Sequence, residues 1–209
     1  MEKKKKMLDV IFILDRSGSM SGSEENTISS FNEYLEKERH NDFKTNITTV
    51  LFSDDFEYLY KRDDVKDVRK LTRKEYYVNG CTALYDAIGS SINYIDNCDT
   101  DKVMFIIITD GYENASREFN QKMVKKMIKK HSKYEFIYIG ADIDSYEAGS
   151  EIGIAKDNIA NYKKSKRGLS LLFKSIGNFE DSMMDEGEVC YDRSMWKKEL
   201  DDYIDDNME

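Results

Sequence analysis

The sequence predicts an α/β fold: a mostly parallel central sheet with one antiparallel edge strand and helices on both faces. Three observations predict it. Apolar runs at residues 8–14, 103–108 and 136–139 are near-continuous rather than alternating, as in strands buried on both sides of a parallel sheet. Stripes of helical period separate these runs, and alternation of strand with helix is the order of a sheet sandwiched by helices. One alternating pair, residues 46–52 and 56–60 around Asp54 and Asp55, reads as a hairpin that adds the antiparallel edge.

The elements follow in order. The opening EKKKKM and VIFIL imitate the basic and apolar parts of a secretory signal, but Asp9 interrupts the run and no small-residue cleavage site follows, so the segment is expected to be a buried strand. Ile28, Phe31 and Leu35 share a helical face, opened by Ser21 with Glu24 three residues on, a capping-box pattern. After the hairpin come Leu84, Ala87, Ile88, Ser91, Ile92 and Ile95; then Phe119, Met123, Met127 and Ile128; then Leu169, Leu172, Phe173, Ile176 and Met183. Residues 141–162 suggest a short helix over 146–152 and a last strand near 158–162. From Met184 the composition turns acidic, and WKKELDDYIDDNME suggests a short amphipathic helix or a frayed tail, self-docking or fraying being preferred to partner binding. The expected organisation is one domain over residues 7–185 and an acidic tail over 186–209.

Composition narrows the function. The 209 residues suffice for one well-buried domain. A net charge of -9 argues against nucleic acid, whose phosphates require clustered Lys and Arg. Three cysteines, Cys81, Cys98 and Cys190, stand at unrelated spacings, which suits a reducing compartment and makes cytoplasm the expected location. No stretch approaches the ~18 apolar residues of a membrane span. With no proline, the turns must rest on Gly, Asn, Asp and Ser.

In open α/β sheets, ligands bind beyond the carboxyl ends of the strands, near the point where strand order reverses. The first run ends in Asp15, with Ser17 and Ser19 at alternate positions beyond it. The run VMFIIITDG ends in Asp110, and the loop NGCTALYDA brings Thr82 to the start of a helix. All five are hard oxygen donors, and three hydroxyls with two carboxylates supply most of the octahedral shell that a magnesium-type ion wants. If the hydroxyls bind directly and the carboxylates through water, the ion stays electrophilic toward an incoming carboxylate.

These residues resemble the metal-ion-dependent adhesion site of von Willebrand factor type A (vWA) domains: DRSGSM is similar to its Asp-x-Ser-x-Ser motif, with Thr82 in GCTAL and Asp110 in TDG matching the other two parts. The resemblance covers residues 7–162 most strongly. It implies a Rossmann-like sheet and a binding module without catalysis, whose cation, Mg²⁺ with Mn²⁺ or Ca²⁺ as alternatives, takes a Glu or Asp from a partner protein. TALYDAI and TDGYENAS are most similar to small stand-alone bacterial or phage members. Cys81 departs from the glycine that often precedes the threonine, and the thiol is expected to be a spectator.

Each residue also has a plainer role. Asp15 and Ser17 can end a strand and cap a turn, Thr82 can cap its helix, and Asp110-Gly111 is a common turn pair. His40 and His131 close expected helices and lack ligand spacing to another His or Cys. Asp142 and Asp144 are read as a loop and helix cap; Glu113 and Asn114 flank the site, where they would shape the ligand's approach, though a helix start is the preferred reading; and Asp54, Asp55, Asp63 and Asp64 are read as solvated charges. Two other functions compete with the binding module: a metal-assisted hydrolase or phosphatase, and a metal-free scaffold. The chain has no Gly-x-Ser-x-Gly elbow around Ser19 and no phosphate-binding Gly-x-x-x-x-Gly-Lys loop, and position 17 is Ser rather than the second acid of a haloacid-dehalogenase-like site.

Overall fold

Continuous burial along three apolar runs places them at the centre of a six-stranded sheet. The structure, a computed structural model, describes residues 6–184 and 194–206. Strands β1 (Met7–Asp15), β2 (Lys44–Phe52), β3 (Phe56–Asp64), β4 (Lys102–Thr109), β5 (Glu135–Gly140) and β6 (Ile159–Asn161) lie in the order β3-β2-β1-β4-β5-β6. Every pairing is parallel except β2 with β3, the antiparallel edge. Strand order reverses between β1 and β4, which are paired from Leu8 with Lys102 to Leu14 with Ile108.

Alternation along β1 sends its side chains to two cores. Leu8, Val10, Phe12 and Leu14 face α1 (Glu24–Glu38) and α5 (Lys166–Met184), where Phe12 meets Phe31 edge-on at 5.2 Å. Ile11 and Ile13 face α2 (Leu84–Ile95) and α3 (Gln121–Lys130). Asp9, on the buried strand, is 1% exposed and is paired with Arg62 Nε at 2.7 Å, so the charge that interrupts the first run is compensated. The segment between β3 and α2, which carries no clear period, buries Val65, Val68, Leu71 and Tyr76.

Boundaries differ from the sequence-based expectation in three places. Helix α1 begins at Glu24 with Ser23 as its cap residue, because a 3-10 turn at Gly18–Met20 intervenes; Ser21 ends that turn, and Glu24 Oε2 accepts from Gly22 N–H at 2.7 Å. Helix α3 starts after Asn120, whose side chain accepts from Met123 N–H. Its inward face is Val124 and Ile128, while Met123 is 43% exposed. Glu113 and Asn114 begin no helix; residues 111–120 are a loop. The short helix and last strand form as α4 (Ser145–Glu151) and β6.

Helix α6 (Lys198–Asp205) packs on α5 and β6, with Trp196 edge-on to Phe179 at 5.7 Å and Leu200 buried. The rest of the acidic segment, residues 185–193 and 207–209, with Cys190 among them, lies outside the described residues. Among the described residues, no helix is long and apolar enough to cross a membrane.

Candidate functional site

The sheet's reversal point is a crevice that side chains at the strand ends must fill, and here they are polar. Asp15, the last residue of β1, is fully buried. Its Oδ1 accepts the Ser17 backbone N–H at 2.7 Å, and its Oδ2 accepts the Thr109 hydroxyl, from the end of β4, at 2.5 Å. The Tyr76 hydroxyl donates to the Asp15 carbonyl at 2.5 Å. Burial raises the Asp15 carboxyl above its ordinary range; the hydrogen bonds from Ser17 and Thr109 oppose that shift, and the neighbouring Asp110 charge adds to it.

Beyond Asp15 the chain turns through Gly18–Met20, and the turn carries two serines to the same edge. Ser17 Oγ lies 3.0 Å from Ser19 Oγ, and Ser19 Oγ donates to Asp110 Oδ1 at 2.5 Å. Thr82 approaches from the loop before α2. Its backbone N–H donates to Asn114 Oδ1 at 2.9 Å, its carbonyl accepts from Asn114 N–H at 3.0 Å, and the next amide, Ala83 N–H, donates to Ser53 O at 2.7 Å. Ala83, not Thr82, is the cap residue of α2, so the threonine hydroxyl is not spent on capping. Gly111 lies between the loops: a Cβ there would stand 3.0 Å from Thr82 Oγ1 and 3.5 Å from Ser19 Oγ. The glycine keeps that space clear.

The five sequence-predicted residues therefore converge. Asp15, Ser17, Ser19 and Asp110 sit in one hydrogen-bonded cluster, and Thr82 faces Ser19 across Gly111. The donor set fits a hard divalent cation. Metal–oxygen distances of ~2.0–2.1 Å in an octahedron put neighbouring ligands roughly 3 Å apart, the spacing of the two serine hydroxyls. Among the described residues, no three His, Cys, Asp or Glu side chains converge to hold a metal, so a site here depends on its hydroxyls.

Several residues around the site have roles that motif reading does not give. Lys164, just after β6, places its ammonium 2.8 Å from Asp110 Oδ2, 3.2 Å from the Ser19 carbonyl and 2.6 Å from Asp142. The only sequence signal for it is a basic YKKSKR stretch at the carboxyl end of the last strand. Glu113 accepts from Tyr85 N–H in the first turn of α2 at 2.9 Å and from Ser116 N–H at 2.7 Å, while Asp86 accepts the amides of Arg117, Glu118 and Phe119. These bonds lock residues 111–120 onto α2. Asp54, expected to be a solvated charge, accepts from Cys81 N–H at 3.0 Å and so fixes the loop before Thr82; its hydrogen bond and charge raise the pKa of the exposed Cys81 thiol. Gly80 turns that loop at φ +71°.

The remaining candidates have plain structural roles. Asp144 caps α4 by accepting from Glu147 N–H at 2.9 Å. His131 bridges the Met127 carbonyl and Asp96 at 2.7 and 2.8 Å, and His40 bonds the Glu36 carbonyl at 2.8 Å. Neither touches the cluster.

The profile described as "VWA domain containing CoxE-like protein" matches residues 1–136. The chain belongs to the vWA family. Its similar solved structures include proximal thread matrix protein 1 from the mussel byssus with a zinc-occupied MIDAS motif, at 17% identity and a TM-score of 0.60, covering 84% of this chain and 46% of that one. A von Willebrand factor type A protein from Catenulispora acidiphila aligns at 14% identity and a TM-score of 0.59, covering 82% and 42%. The pilus adhesin SpaC from Lactobacillus rhamnosus GG, in its open conformation, aligns at 13% identity and a TM-score of 0.67, covering 87% and 30%. This vWA chain thus spans less than half the length of each of the three. Comparison with curated proteins returns no match.

Proposed function

We propose that this vWA protein is a metal-dependent interaction module, not an enzyme, that binds an acidic residue of a partner protein at the Asp15–Asp110 cluster. The observation that carries the reading is the convergence of three hydroxyls and two carboxylates from three loops on one point of the sheet edge. Ser17, Ser19 and Thr82 would hold the ion directly, and Asp15 and Asp110 through water. Bound there, a magnesium-type cation supplies an electrophilic open position for a Glu or Asp carboxylate. The chain's own work is positioning: Thr109 and the Ser17 amide fix the Asp15 carboxylate, while Asn114 and Ser53 fix the loop that carries Thr82.

The zinc-occupied MIDAS of the mussel protein supports a divalent ion on this fold, and Mg²⁺, with Mn²⁺ or Ca²⁺ as alternatives, is the ion that hydroxyl and carboxylate donors favour. Against catalysis, both histidines are engaged outside the cluster, so no imidazole serves as a general base. We place the protein in the cytoplasm, consistent with Cys81 and Cys98 being free thiols, and take residues 7–185 as the binding domain. A metal-free scaffold has one observation in its favour, the Lys164 ammonium seated on Asp110.

The test is the thermal melt of wild type, Asp15→Ala and Asp110→Ala in EDTA and in added Mg²⁺, Mn²⁺ or Ca²⁺. A ligand that binds only the native state raises the melting temperature, by an amount set by its concentration over its Kd. A metal-dependent rise in wild type that both variants lose is the expected result. An equal rise in all three proteins would place the ion elsewhere and refute the assignment.

A further inference from the structure

We propose that Lys164 is a tethered counter-cation of this site, holding Asp110 in the metal-free protein and setting metal affinity by competing for it. The inference deepens the metal-site reading and rests on it.

Three successive strand ends build the arrangement. Asp110 follows β4, Asp142 follows β5 and Lys164 follows β6, so neighbouring strands deliver acid, acid and base to one edge. The Asp110 side chain is fully enclosed, and its two oxygens are bonded to Ser19 Oγ and to the Lys164 ammonium. A carboxylate enclosed this far needs a compensating charge. Lys164 supplies it and also donates to the Ser19 carbonyl at 3.2 Å, so three oxygens lie within hydrogen-bond distance of its ammonium.

The same geometry sets up an exchange. A divalent ion among the hydroxyls would stand close to this ammonium, and the like charges repel across a largely enclosed space. Lys164 has a second partner in Asp142, which already holds it at 2.6 Å, is 69% exposed, and has its backbone in the left-handed region at φ +58°. The lysine backbone is anchored by the buried Tyr162 before it, whose N–H bonds Gly140 O, and by the buried Leu169 after it. Displacement therefore swings the side chain from Asp110 toward Asp142 and leaves the fold in place. Asp110 is then free to face the metal shell, and the ion bears the cost of breaking the Lys164–Asp110 pair.

The experiment is titration of the purified full chain with Mn²⁺ by calorimetry, paired with melts in EDTA and in Mn²⁺. It compares wild type, Lys164→Met, Asp142→Asn, the double variant and Asp15→Ala/Lys164→Met. Lys164→Met is expected to tighten Mn²⁺ binding by roughly tenfold, since a unit charge is removed beside a divalent ion. It should melt lower than wild type in EDTA, where Asp110 loses its counter-charge, yet gain more from Mn²⁺. A merely structural lysine would lower both melts and leave the affinity alone. Asp142→Asn, which removes the second partner's charge, should weaken binding severalfold, and most of that effect should vanish in the Lys164→Met background.

Lys164→Gln serves where the Met variant does not fold. Wild type binding Mn²⁺ with Lys164→Met unchanged or weaker would overturn the inference and leave the metal site standing. No binding by either protein would overturn the metal reading and the inference with it. Binding by Lys164→Met alone, lost again in Asp15→Ala/Lys164→Met, would support the competition directly.

Discussion

Thr109 donates its hydroxyl to Asp15 Oδ2 at 2.5 Å, joining the ends of β1 and β4 at the point where the strand order reverses. Both side chains are fully buried, and the same threonine oxygen accepts the Gly111 amide at 3.2 Å, which ties the turn after Asp110 to Asp15. Thr109→Val keeps the shape and removes the donor. Leaving a buried carboxylate oxygen unpaired costs about 1–3 kcal/mol, so the melting temperature should fall in EDTA. Mn²⁺ affinity should fall as well, because Asp15 is no longer aimed. Thr109→Ser restores the hydroxyl and should recover most of the affinity. Calorimetry on the two variants checks this, and equal affinity in wild type and Thr109→Val would remove Thr109 from the site's support.

Asp86 offers a second handle on the site without touching it. One carboxylate in the first turn of α2 accepts three consecutive amides at 2.8–3.0 Å and so pins residues 117–119. The pinned segment continues from Asn114, which clamps Thr82 on both its amide and its carbonyl. Asp86→Ala should destabilise the protein by about 2 kcal/mol or more, since hydrogen bonds to charged acceptors are the stronger kind. Amide exchange at residues 114–119 should speed up beyond the global change, as local opening becomes easier. Uniform acceleration across the chain would show instead that the loop has no independent clamp.

What can be read from the sequence divides along a physical line. Asp15, Ser17, Ser19, Thr82 and Asp110 are legible because they stand at strand and helix ends in a spacing that resembles a known motif, and burial of the central strands follows from their unbroken apolar runs. Lys164 is not, because its target lies 54 residues away in the chain and only the order β4-β5-β6 brings the two together. Asp54 and Asp86 are hidden for the same reason: their partners are backbone amides of distant loops, which leave no mark on side-chain pattern. The start of α1 is displaced from its expected place because Ser21 and Glu24 carry a capping-box spacing while the 3-10 turn before them changes the phase of the chain. Similarly, Met123 fits a helical stripe by period, yet the side chain that enters the core is Val124.

The acidic segment gives a prediction about what belongs to the folded unit. Trp196 is 1% exposed, donates its indole N–H to the Asp157 carbonyl at 2.9 Å and meets Phe179 on α5. The adjoining Lys197 ammonium, 2.9 Å from the Tyr146 hydroxyl, is also bonded to the Ile159 carbonyl of β6. Trp196→Ala should therefore cost about 3–5 kcal/mol, the range for emptying a large aromatic site. Urea unfolding is the direct measurement. A loss under about 1 kcal/mol would show that the segment only rests on the surface.

The opposite end of the α1–α5 face carries a pH dependence that is independent of the proposed metal site. Glu180 is fully enclosed, with its Oε1 accepting the Tyr34 hydroxyl at 2.5 Å, and Glu38, itself 2% exposed, lies beside it and accepts from Asn41 at 2.6 Å. Burial pushes Glu38 from 4.5 up to about 7, and burial together with the Glu38 charge raises Glu180 well above the ordinary carboxylate range. Lys37, paired with Asp181 at 3.7 Å, adds an opposing charge near both. Because the folded chain holds protons that the unfolded chain releases above pH 4.5, the pair's contribution to stability is complete below that pH. It is lost progressively as pH rises toward 7, by about 1.4 kcal/mol for each pH unit over which one such proton is held only by the folded chain. Glu180→Gln keeps an acceptor for Tyr34 and removes the Glu180 titration, leaving that of Glu38. The variant should unfold at nearly the wild-type urea concentration near pH 4.5 and at a higher one at about pH 8, above the raised Glu38 value. A variant-minus-wild-type difference that is the same at both pH values would show that Glu180 does not hold the proton.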